Sequence, residues 1–473
     1  MGGFNRKTAL LLCIVLSLVF SNLGVVSARS ENGAGGMADL QGNWAEEPIS
    51  RWLDQGLIAG YSDQTFKPGS TISRAEFVAL VNRAYGFGEQ GTTNYSDVPA
   101  GKWYSADVAK ATLAGYVSGF ADGSFRPDAV ISRQEAAKIV AGLMKLETSG
   151  DSSLSGFKDA DRIPQWSRPY LNAVVENGYL TGFGDGTLKP TQSISRAEAV
   201  VLLDRIAGTL IQSPGTTGGE AEETIEGNVT INAAGATLKN TVVTGDLYLA
   251  AGIGEGEVYL DNVTVKGRTI VAGGGENSVV LNDANLNEVI VEKAKGKVRL
   301  FAKGKSNIAK TIVKSEAKLQ TENEEQKFAN VEIANRGENV ELQGRFGHVD
   351  VKNKLTLVVI AGAKLDELVV GEQAEGTVVN AGDLAVLIRV VLNASVKMDG
   401  EGTIQTVEIN AQGTTIELSV EKYTMGNGVT LVVINGKDVT GQPDSNGSSG
   451  SGGTPPATTA PPTTVPPTIP EPS

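Results

Sequence analysis

The first 210 residues contain the same unit of sequence three times. Three tryptophans, Trp44, Trp103 and Trp166, are separated by 59 and 63 residues. Two glycines, a proline and an arginine in each unit repeat the same two spacings, so the spacing inside each unit is constant. Repetition in several registers at once indicates three copies of one supersecondary unit. Any fold for this part of the chain must therefore be assembled from three similar pieces.

Each unit has the pattern of a helix, a turn and a second helix. In the first copy Ile49, Trp52 and Leu53 share one helical face, and Gly56 follows as a natural helix stop. After a turn, a serine precedes the second apolar helix and a glutamate follows three residues later, which is the pattern of a capping box. The second helices are predicted to begin after Ser73, Ser132 and Ser195.

A capping box does not explain the arginine that follows each serine, at Arg74, Arg133 and Arg196. The helix dipole disfavours a cation in the first turn by roughly 0.3–1 kcal/mol. Two interpretations are open: an internal carboxylate partner, or an anionic ligand held by the guanidinium and the free N–H groups of the helix start. A second cation precedes each turn proline, at Lys67, Arg126 and Lys189.

The repeated tryptophans and an aspartate upstream of each one are further candidate ligand contacts. Core packing is the default interpretation of the tryptophans, but a partly exposed indole stacks well on a sugar ring. The aspartates either accept sugar hydroxyls or cap the first helix of each unit. They are Asp39, Asp97 and Asp159.

Composition excludes several classes of function. The net charge of −13 argues against a nucleic-acid binder with a broad basic surface. Cys13 is the one cysteine and His348 the one histidine, so disulfides, Cys/His zinc sites and Ser-His-Asp or Cys-His catalysis are nearly excluded. No catalytic residue, cofactor or metal site is predicted, and His348 is expected to be a surface or structural residue.

The N-terminus has the order of a secretory signal. Arg6 and Lys7 precede an apolar run over residues 9–20, and small residues ending at Ala28 follow. The run is too short for a membrane span, and later residues contain no apolar run of about 18 residues. The mature chain is therefore expected to be exported and not to span a membrane.

The middle of the chain has a shorter repeat. Residues 238–249 recur as residues 260–271, and a fainter copy covers residues 281–291, at spacings of 22 and 21. Short β-rich runs at a near-constant period predict a stacked β-solenoid, such as a parallel β-helix. The alternative is one or two β-sandwiches with imperfect repeats. Asn240 and Asn262 occupy the same place in two repeats and are predicted to stack as an amide ladder.

The tripled unit resembles the S-layer homology (SLH) module. The signature is an Ile-Thr-Arg-Ala-Glu-like element after a Gly-aromatic-x-Asp-Gly-x-Phe-x-Pro turn, and residues 72–76, 131–135 and 194–198 match it in register. The resemblance covers residues 37–210. It is weakest in the first and third copies, where Gln64 replaces the turn glycine and Leu188 replaces the phenylalanine.

The resemblance implies a pseudo-threefold helical trimer with grooves between the modules. It also implies noncovalent binding of a secondary cell-wall polysaccharide that carries pyruvate ketals. The pyruvate carboxylate would suit the arginines and neighbouring lysines, and hydroxyl-bearing amino sugars would suit the aspartates and tryptophans.

These observations predict a multidomain chain, with an α-helical SLH bundle followed by an all-β region. The predicted parts are a signal peptide (1–28), SLH modules (37–90, 94–148 and 154–210), a linker (211–225), a β-repeat domain (226–441) and a disordered Gly/Ser- and Pro/Thr-rich tail (442–473).

The expected function is that of a secreted, S-layer-like protein at the cell wall, anchored to anionic polysaccharide. The β-region is expected to be a structural or lattice-forming body without catalysis, and self-association is left open. The alternative is a wall-anchored carbohydrate-active enzyme, a lyase or a hydrolase, or a carbohydrate-binding protein.

Overall fold

A computed structural model describes residues 37–335 and 339–439. The predicted signal peptide and tail lie outside these ranges. No helix within them combines the length and apolar character needed to cross a bilayer. The α-helices of the described residues are α1 (Glu46–Asp54), α2 (Arg74–Tyr85), α3 (Ser105–Leu113), α4 (Arg133–Leu143), α5 (Arg168–Glu176) and α6 (Arg196–Ala207).

The second helix of each unit begins with the predicted capping box. In α2 the Ser73 hydroxyl accepts the Glu76 N–H at 3.2 Å, and the Glu76 carboxylate accepts the Ser73 N–H at 2.7 Å. The same reciprocal pair is present in α4 and α6. The capping boxes are therefore confirmed, and they fix where the signature arginines lie.

Backbone contacts close the three units into a ring. Each isoleucine of the signature donates its N–H to the carbonyl of another: Ile72 to Ile194 at 3.4 Å, Ile194 to Ile131 at 3.0 Å, and Ile131 to Ile72 at 3.0 Å. All three side chains are buried. This cycle lies at a pseudo-threefold axis, in agreement with the expected trimeric bundle.

The rest of the described chain is built from strands. They are β1 (Thr209–Ile211), β2 (Gly215–Thr217), β3 (Glu223–Ile225), β4 (Val229–Ile231), β5 (Ala236–Val243), β6 (Leu247–Leu249), β7 (Val258–Val271), β8 (Val280–Asn282), β9 (Asn285–Val291), β10 (Val298–Lys303), β11 (Asn307–Val313), β12 (Ala317–Thr321), β13 (Phe328–Ile333), β14 (Asn339–Gln343), β15 (Arg345–Val351), β16 (Thr356–Val359), β17 (Lys364–Val370), β18 (Thr377–Ala381), β19 (Val386–Leu392), β20 (Val396–Gly400), β21 (Thr403–Ile409), β22 (Thr414–Ile416), β23 (Ser419–Met425), β24 (Val432–Ile434) and β25 (Lys437–Asp438).

These strands form a parallel β-solenoid of about 11 turns. From β9 to β22 each strand pairs in parallel with the strand two positions later, so that each coil contributes two strands. Among the described residues β24 and β25 make the one antiparallel pair. The predicted solenoid is confirmed, and the β-sandwich alternative is wrong because the other described strand pairs are parallel.

The sequence repeats correspond to the coils. Leu238, Leu260 and Leu281, which start the three repeats, lie directly above one another and are buried. The predicted amide ladder is also present, since Asn262 donates to the Asn240 side-chain oxygen at 3.0 Å. Both asparagines have left-handed backbone angles, with φ of 51° and 48°. Asparagine tolerates this conformation better than most residues, which explains its place at a corner.

Large side chains fill the solenoid interior, and they provide a test of its packing. Phe328 and Phe346 are buried and stack with ring centroids 5.6 Å apart. Phe346→Ala is expected to lower the free energy of unfolding by about 3–5 kcal/mol, because a cavity replaces the ring. Urea unfolding followed by circular dichroism measures this change. The exposed Lys327→Ala serves as the control, and equal stability of the two variants would contradict this account of the core.

Residues 211–225 are not the linker that the sequence predicts. Helix α6 ends at Ala207 and β1 begins at Thr209, and β2 and β3 pair with β5. The Gly- and Thr-rich composition of the segment is typical of a loop. In the structure, its strands β2 and β3 pair with the next coil, so it forms the first part of the solenoid.

The solenoid packs directly on the C-terminal ends of all three second helices. Three solenoid side chains donate hydrogen bonds to carbonyls there: Asn232 to Ala84 at 2.9 Å, Arg268 to Lys145 at 2.9 Å, and Thr230 to Ala207 at 2.8 Å. The carbonyls of Ala84 and Ala207 lie in the last turns of their helices, where they have no helical partner, and Lys145 follows the end of α4. Outward-facing Tyr248 and Ile270 also join the hydrophobic core of the bundle. The bundle and the first coils therefore share one core.

Candidate functional site

Each signature arginine crosses to another module. The Nε of each guanidinium donates to a backbone carbonyl at the end of that module's turn. The acceptors are Phe125 for Arg74 at 3.0 Å, Leu188 for Arg133 at 2.8 Å and Phe66 for Arg196 at 3.1 Å. The arginines therefore connect the first module to the second, the second to the third and the third back to the first.

The N–H groups at the helix starts are not free for a ligand. In α2 the Arg74 N–H donates to the Ala129 carbonyl at 2.9 Å, and the Ala75 N–H donates to the Pro127 carbonyl at 3.0 Å. Equivalent bonds are made at the starts of α4 and α6. The capping boxes satisfy the remaining two donors. The interpretation in which these N–H groups hold an anion is therefore wrong, because the neighbouring module occupies them.

Arg74 and Arg133 have internal carboxylate partners. Arg74 lies 3.3 Å from Glu135, and Arg133 lies 3.6 Å from Glu198. Their side chains are only 7% and 5% exposed. Desolvation lowers the pKa of both arginines, as burial of a cation does. For these two arginines the structure shows the internal ion pair that the sequence left open.

Arg196 differs from Arg74 and Arg133 in its hydrogen-bond and ion-pair partners. Within the described part of the chain no carboxylate lies within 4 Å of its guanidinium, which donates to the carbonyls of Phe66 and Ala59. The residue that corresponds to Glu135 and Glu198 is Glu76, which shares their capping bond but makes no ion pair with Arg196 among the described residues. Arg196 is also only partly buried. It therefore retains donors for an anionic ligand.

The cations before the turn prolines lie at the surface. Each one pairs with the aspartate four residues earlier: Lys67 with Asp63 at 3.1 Å, Arg126 with Asp122 at 2.8 Å, and Lys189 with Asp185 at 3.1 Å. Hydrogen bonds from the Thr187 hydroxyl and from Lys189 lower the pKa of Asp185 to about 2. The three cations are therefore already partly neutralised.

An aromatic ring lies between the two cations of each groove, a feature that the sequence analysis missed. The ring belongs to the residue after the turn glycine: Tyr61, Phe120 and Phe183. Lys67, Arg126 and Lys189 lie 4.2, 4.0 and 4.2 Å from the centroids, and the signature arginines lie within 5.0 Å of the same rings. The Gly-aromatic-x-Asp pattern was the signal that could have identified these rings.

The three aspartates hold the turns. Asp97, for example, accepts the N–H groups of Phe125 and Arg126, both at 2.7 Å. Asp39 and Asp159 make the same pair of bonds in their own modules. The clamped residue before each proline has a positive φ of 51–59°. Backbone clamping is neither the helix cap nor the sugar contact that the sequence analysis considered.

The repeated tryptophans are exposed, and the default interpretation of core packing is wrong. Trp44, Trp103 and Trp166 are 66%, 58% and 47% exposed. Trp52 is the tryptophan that packs inside the bundle. The exposed indoles are available for contact with a ligand.

One groove contains an open cleft of about 260 Å³. It lies beside Arg196 of the third module and against the first module, and Trp103 of the second module lines it. Its other lining residues are Ile58, Ala59, Phe66, Ile72, Glu76, Ala79, Leu80, Arg83 and Val200. The cleft therefore combines an unpaired arginine, an exposed indole and further charged groups.

One position distinguishes this groove from the groove between the first and second modules. Five residues after the signature arginine the three helices have Ala79, Lys138 and Val201. The Lys138 ammonium donates across its groove to the Ser118 hydroxyl at 3.1 Å. Ala79 leaves the corresponding space empty. The departures from the family pattern in the first and third copies do not predict this difference.

Comparison with known proteins agrees with this architecture. The S-layer homology domain matches residues 37–78, 94–137 and 156–200. The chain carries three SLH domains. The surface-layer 125 kDa protein of Lysinibacillus sphaericus is 33% identical over 174 residues, which are 36% of this chain and 15% of that protein. The S-layer protein sap of Bacillus anthracis is 23% identical over 491 aligned positions, which cover 84% of this chain and 58% of that protein.

The SLH segment also occurs in an enzyme. The amylopullulanase of Thermoanaerobacterium thermosulfurigenes is 28% identical over 170 residues, 35% of this chain and 9% of the enzyme. The chain thus spans less than two thirds of the length of these relatives. The comparisons place it at the cell surface, among proteins of the S-layer type.

The described residues offer little for metal or histidine chemistry. No group of three or more His, Cys, Asp or Glu side chains among them could hold a metal ion. His348 lies on the outer face of the solenoid, and its Nδ1 lies 2.7 Å from the Glu367 carboxylate. Hydrogen bonds from His348 and Arg389 lower the pKa of Glu367. His348 therefore belongs to a surface charge network.

Proposed function

We propose that the SLH bundle anchors this chain noncovalently to an anionic secondary cell-wall polysaccharide through the groove between the third and first modules. The observation that carries the proposal is Arg196, which faces an open cleft without a carboxylate partner among the described residues. The ligand class follows from the resemblance and from charge. A pyruvate ketal presents a carboxylate that a guanidinium binds well.

Four of the residues that line the cleft have a role in this proposal. Arg196 would bind the carboxylate through the guanidinium nitrogen that makes no hydrogen bond to the described residues, and Trp103 would stack on a sugar ring. Glu76 and Arg83 would exchange hydrogen bonds with sugar hydroxyls. Arg74, Arg133 and the three aspartates would support the grooves from within, because their polar atoms are bonded inside the bundle.

The β-solenoid is proposed to act as a structural body that projects from the wall, and lattice formation with other copies is part of this proposal. The alternative of a wall-anchored enzyme has weaker support. The similarity to the amylopullulanase covers 35% of this chain, about the extent of the SLH segment. That similarity therefore concerns the proposed anchor and does not favour catalysis by the solenoid.

Arg196→Gln tests the proposal. Loss of hydrogen bonds to a charged group costs about 1.5–3 kcal/mol, so affinity for pyruvylated wall polysaccharide is expected to fall roughly 10- to 150-fold. Trp103→Ala is expected to weaken binding as well. Isothermal titration calorimetry with pyruvylated and non-pyruvylated polysaccharide measures both effects.

Trp166→Ala is the matched control, because Trp166 is an exposed indole at the equivalent place in another module. It is expected to leave the affinity unchanged. Thermal unfolding of all variants distinguishes weaker binding caused by a lost ligand contact from weaker binding caused by unfolding of the bundle. Equal binding of the two polysaccharides, or full affinity of a folded Arg196→Gln chain, would refute the proposed anchor.

A further inference from the structure

Strand β10 carries a cluster of cationic and aromatic side chains on the outer face of the solenoid. Arg299, Phe301 and Lys303 alternate with buried residues along this strand and are partly exposed. Lys318 and Gln320 lie beside them on β12, where Arg299 is in register with Lys318 and Phe301 with Gln320. We call these five residues the β10 patch.

Two cations of the β10 patch lie side by side, and Lys318 is also in register with Glu341 on the next coil. Like charges directly opposite on neighbouring strands are destabilising. Within the described ranges neither Arg299 nor Lys318 has a carboxylate within 4 Å. Arg299 instead donates to Gln320 at 2.7 Å and stacks on Phe301 with its guanidinium carbon 4.1 Å from the ring centroid.

Some other outward cations on the solenoid have carboxylate partners. Lys310 pairs with Glu288 at 3.1 Å, and Arg389 pairs with Glu408 at 3.2 Å. The chain as a whole carries a net charge of −13. Arg299 and Lys318 repel each other across the two strands, and this repulsion lowers stability. Residues whose charges lower stability are expected at functional sites.

Phe301 of the β10 patch belongs to a column of register partners that also contains a second aromatic residue. Tyr259, Val280 and Phe301 are register partners on three successive coils, and all three are partly exposed. Neighbouring strands lie about 4.8 Å apart, so the two rings stand about 10 Å apart along the solenoid. This spacing is similar to that of alternate sugars in an extended β-1,4-linked glycan. Asn282 and Gln320 supply amide groups beside the column.

We propose that the β10 patch and Tyr259 form a second glycan-binding surface, which holds a carboxylated polysaccharide strand lying across the coils. Arg299 and Lys318 bind carboxylates, while the Phe301–Arg299 stack and the Tyr259 ring contact sugar faces. The assignment to a carboxylated glycan follows from charge complementarity together with the aromatic spacing. It is independent of the SLH groove, since it uses a different part of the chain.

The test uses the full chain and a pair of defined probes. Poly-β-1,4-mannuronate is the carboxylated probe, and β-1,4-mannan is its uncharged counterpart. Chains with Arg196→Gln, which removes the proposed groove contact, are expected to keep binding polymannuronate. Adding Arg299→Gln and Lys318→Gln is expected to lower that affinity at least tenfold, and mannan is expected to bind weakly to every variant.

A matched control and a second readout keep the test decisive. Lys310→Gln with Arg389→Gln removes two cations elsewhere on the solenoid and is expected to leave binding unchanged. Because the Arg299 and Lys318 substitutions relieve repulsion, the melting temperature should stay equal or rise. Equal binding of mannan and polymannuronate would overturn the proposal, and so would unchanged affinity in the Arg299/Lys318 variant. Loss of all polymannuronate binding in Arg196→Gln alone would assign the ligand to the groove and also overturn it.

Discussion

Ala79→Lys is expected to abolish retention on the cell wall while the bundle stays folded. In the second module the lysine at this position reaches across its groove to Ser118 at 3.1 Å. In the first module the introduced ammonium would enter the cleft beside Glu76 and Arg196. It would occupy the space for the sugar and compete with Arg196 for the ligand carboxylate. The expected loss of affinity is about 100-fold, equivalent to roughly 3 kcal/mol.

Two reciprocal variants make this prediction specific to one groove. Val201→Lys adds the same charge at the equivalent place in the third module, beside Arg133, which is already paired with Glu198. It is expected to leave affinity unchanged. Lys138→Ala is expected to open a second, weaker groove, because Arg74 remains paired with Glu135. Calorimetric stoichiometry and pull-down on purified walls, with circular dichroism as the folding check, measure these outcomes. If the Ala79→Lys chain is retained on the wall as strongly as the wild-type chain, this groove is not the anchor.

The sequence predicted the bundle better than it predicted the groove. Fixed registers and capping boxes depend on local spacing, so three helix pairs could be recognised directly. The residues that each arginine contacts lie in another module, and whether it meets a carboxylate depends on the ring closure around Ile72, Ile131 and Ile194. Ala79, Lys138 and Val201 can be read from the sequence, but only the structure shows that this position in each helix faces a groove.

The β-region was predictable from its repeats, whereas its contact with the bundle was not recognised. A column of outward positions holds Tyr248, Ile270, Ile290 and Ile312 and then changes to Glu332. Outward strand positions are normally polar, so the apolar part of this column indicates a covered face. The bundle and the solenoid were predicted as separate domains, so the apolar part of the column was not recognised as a contact between them.

Ile270→Asp is expected to destabilise the bundle, although Ile270 belongs to the solenoid. Its side chain is fully buried in the core of the bundle. Tyr248, its neighbour in the column, packs edge-on against Tyr85 at 4.8 Å. The substitution removes apolar burial and places an unpaired carboxylate in that core. A loss of at least about 4 kcal/mol is expected from the two effects together.

Ile312→Asp is the matched control, because the same residue type lies two coils further along the same column and is partly exposed. It is expected to change the free energy of unfolding by less than about 1 kcal/mol. Urea unfolding gives the two free energies, and limited proteolysis shows which part of the chain opens first. Cleavage within residues 37–210 in Ile270→Asp, together with lost wall binding, would show that the first coils complete the anchor. Equal effects of the two substitutions would instead mean that the bundle is stable without the solenoid, and the shared core would then not support the groove.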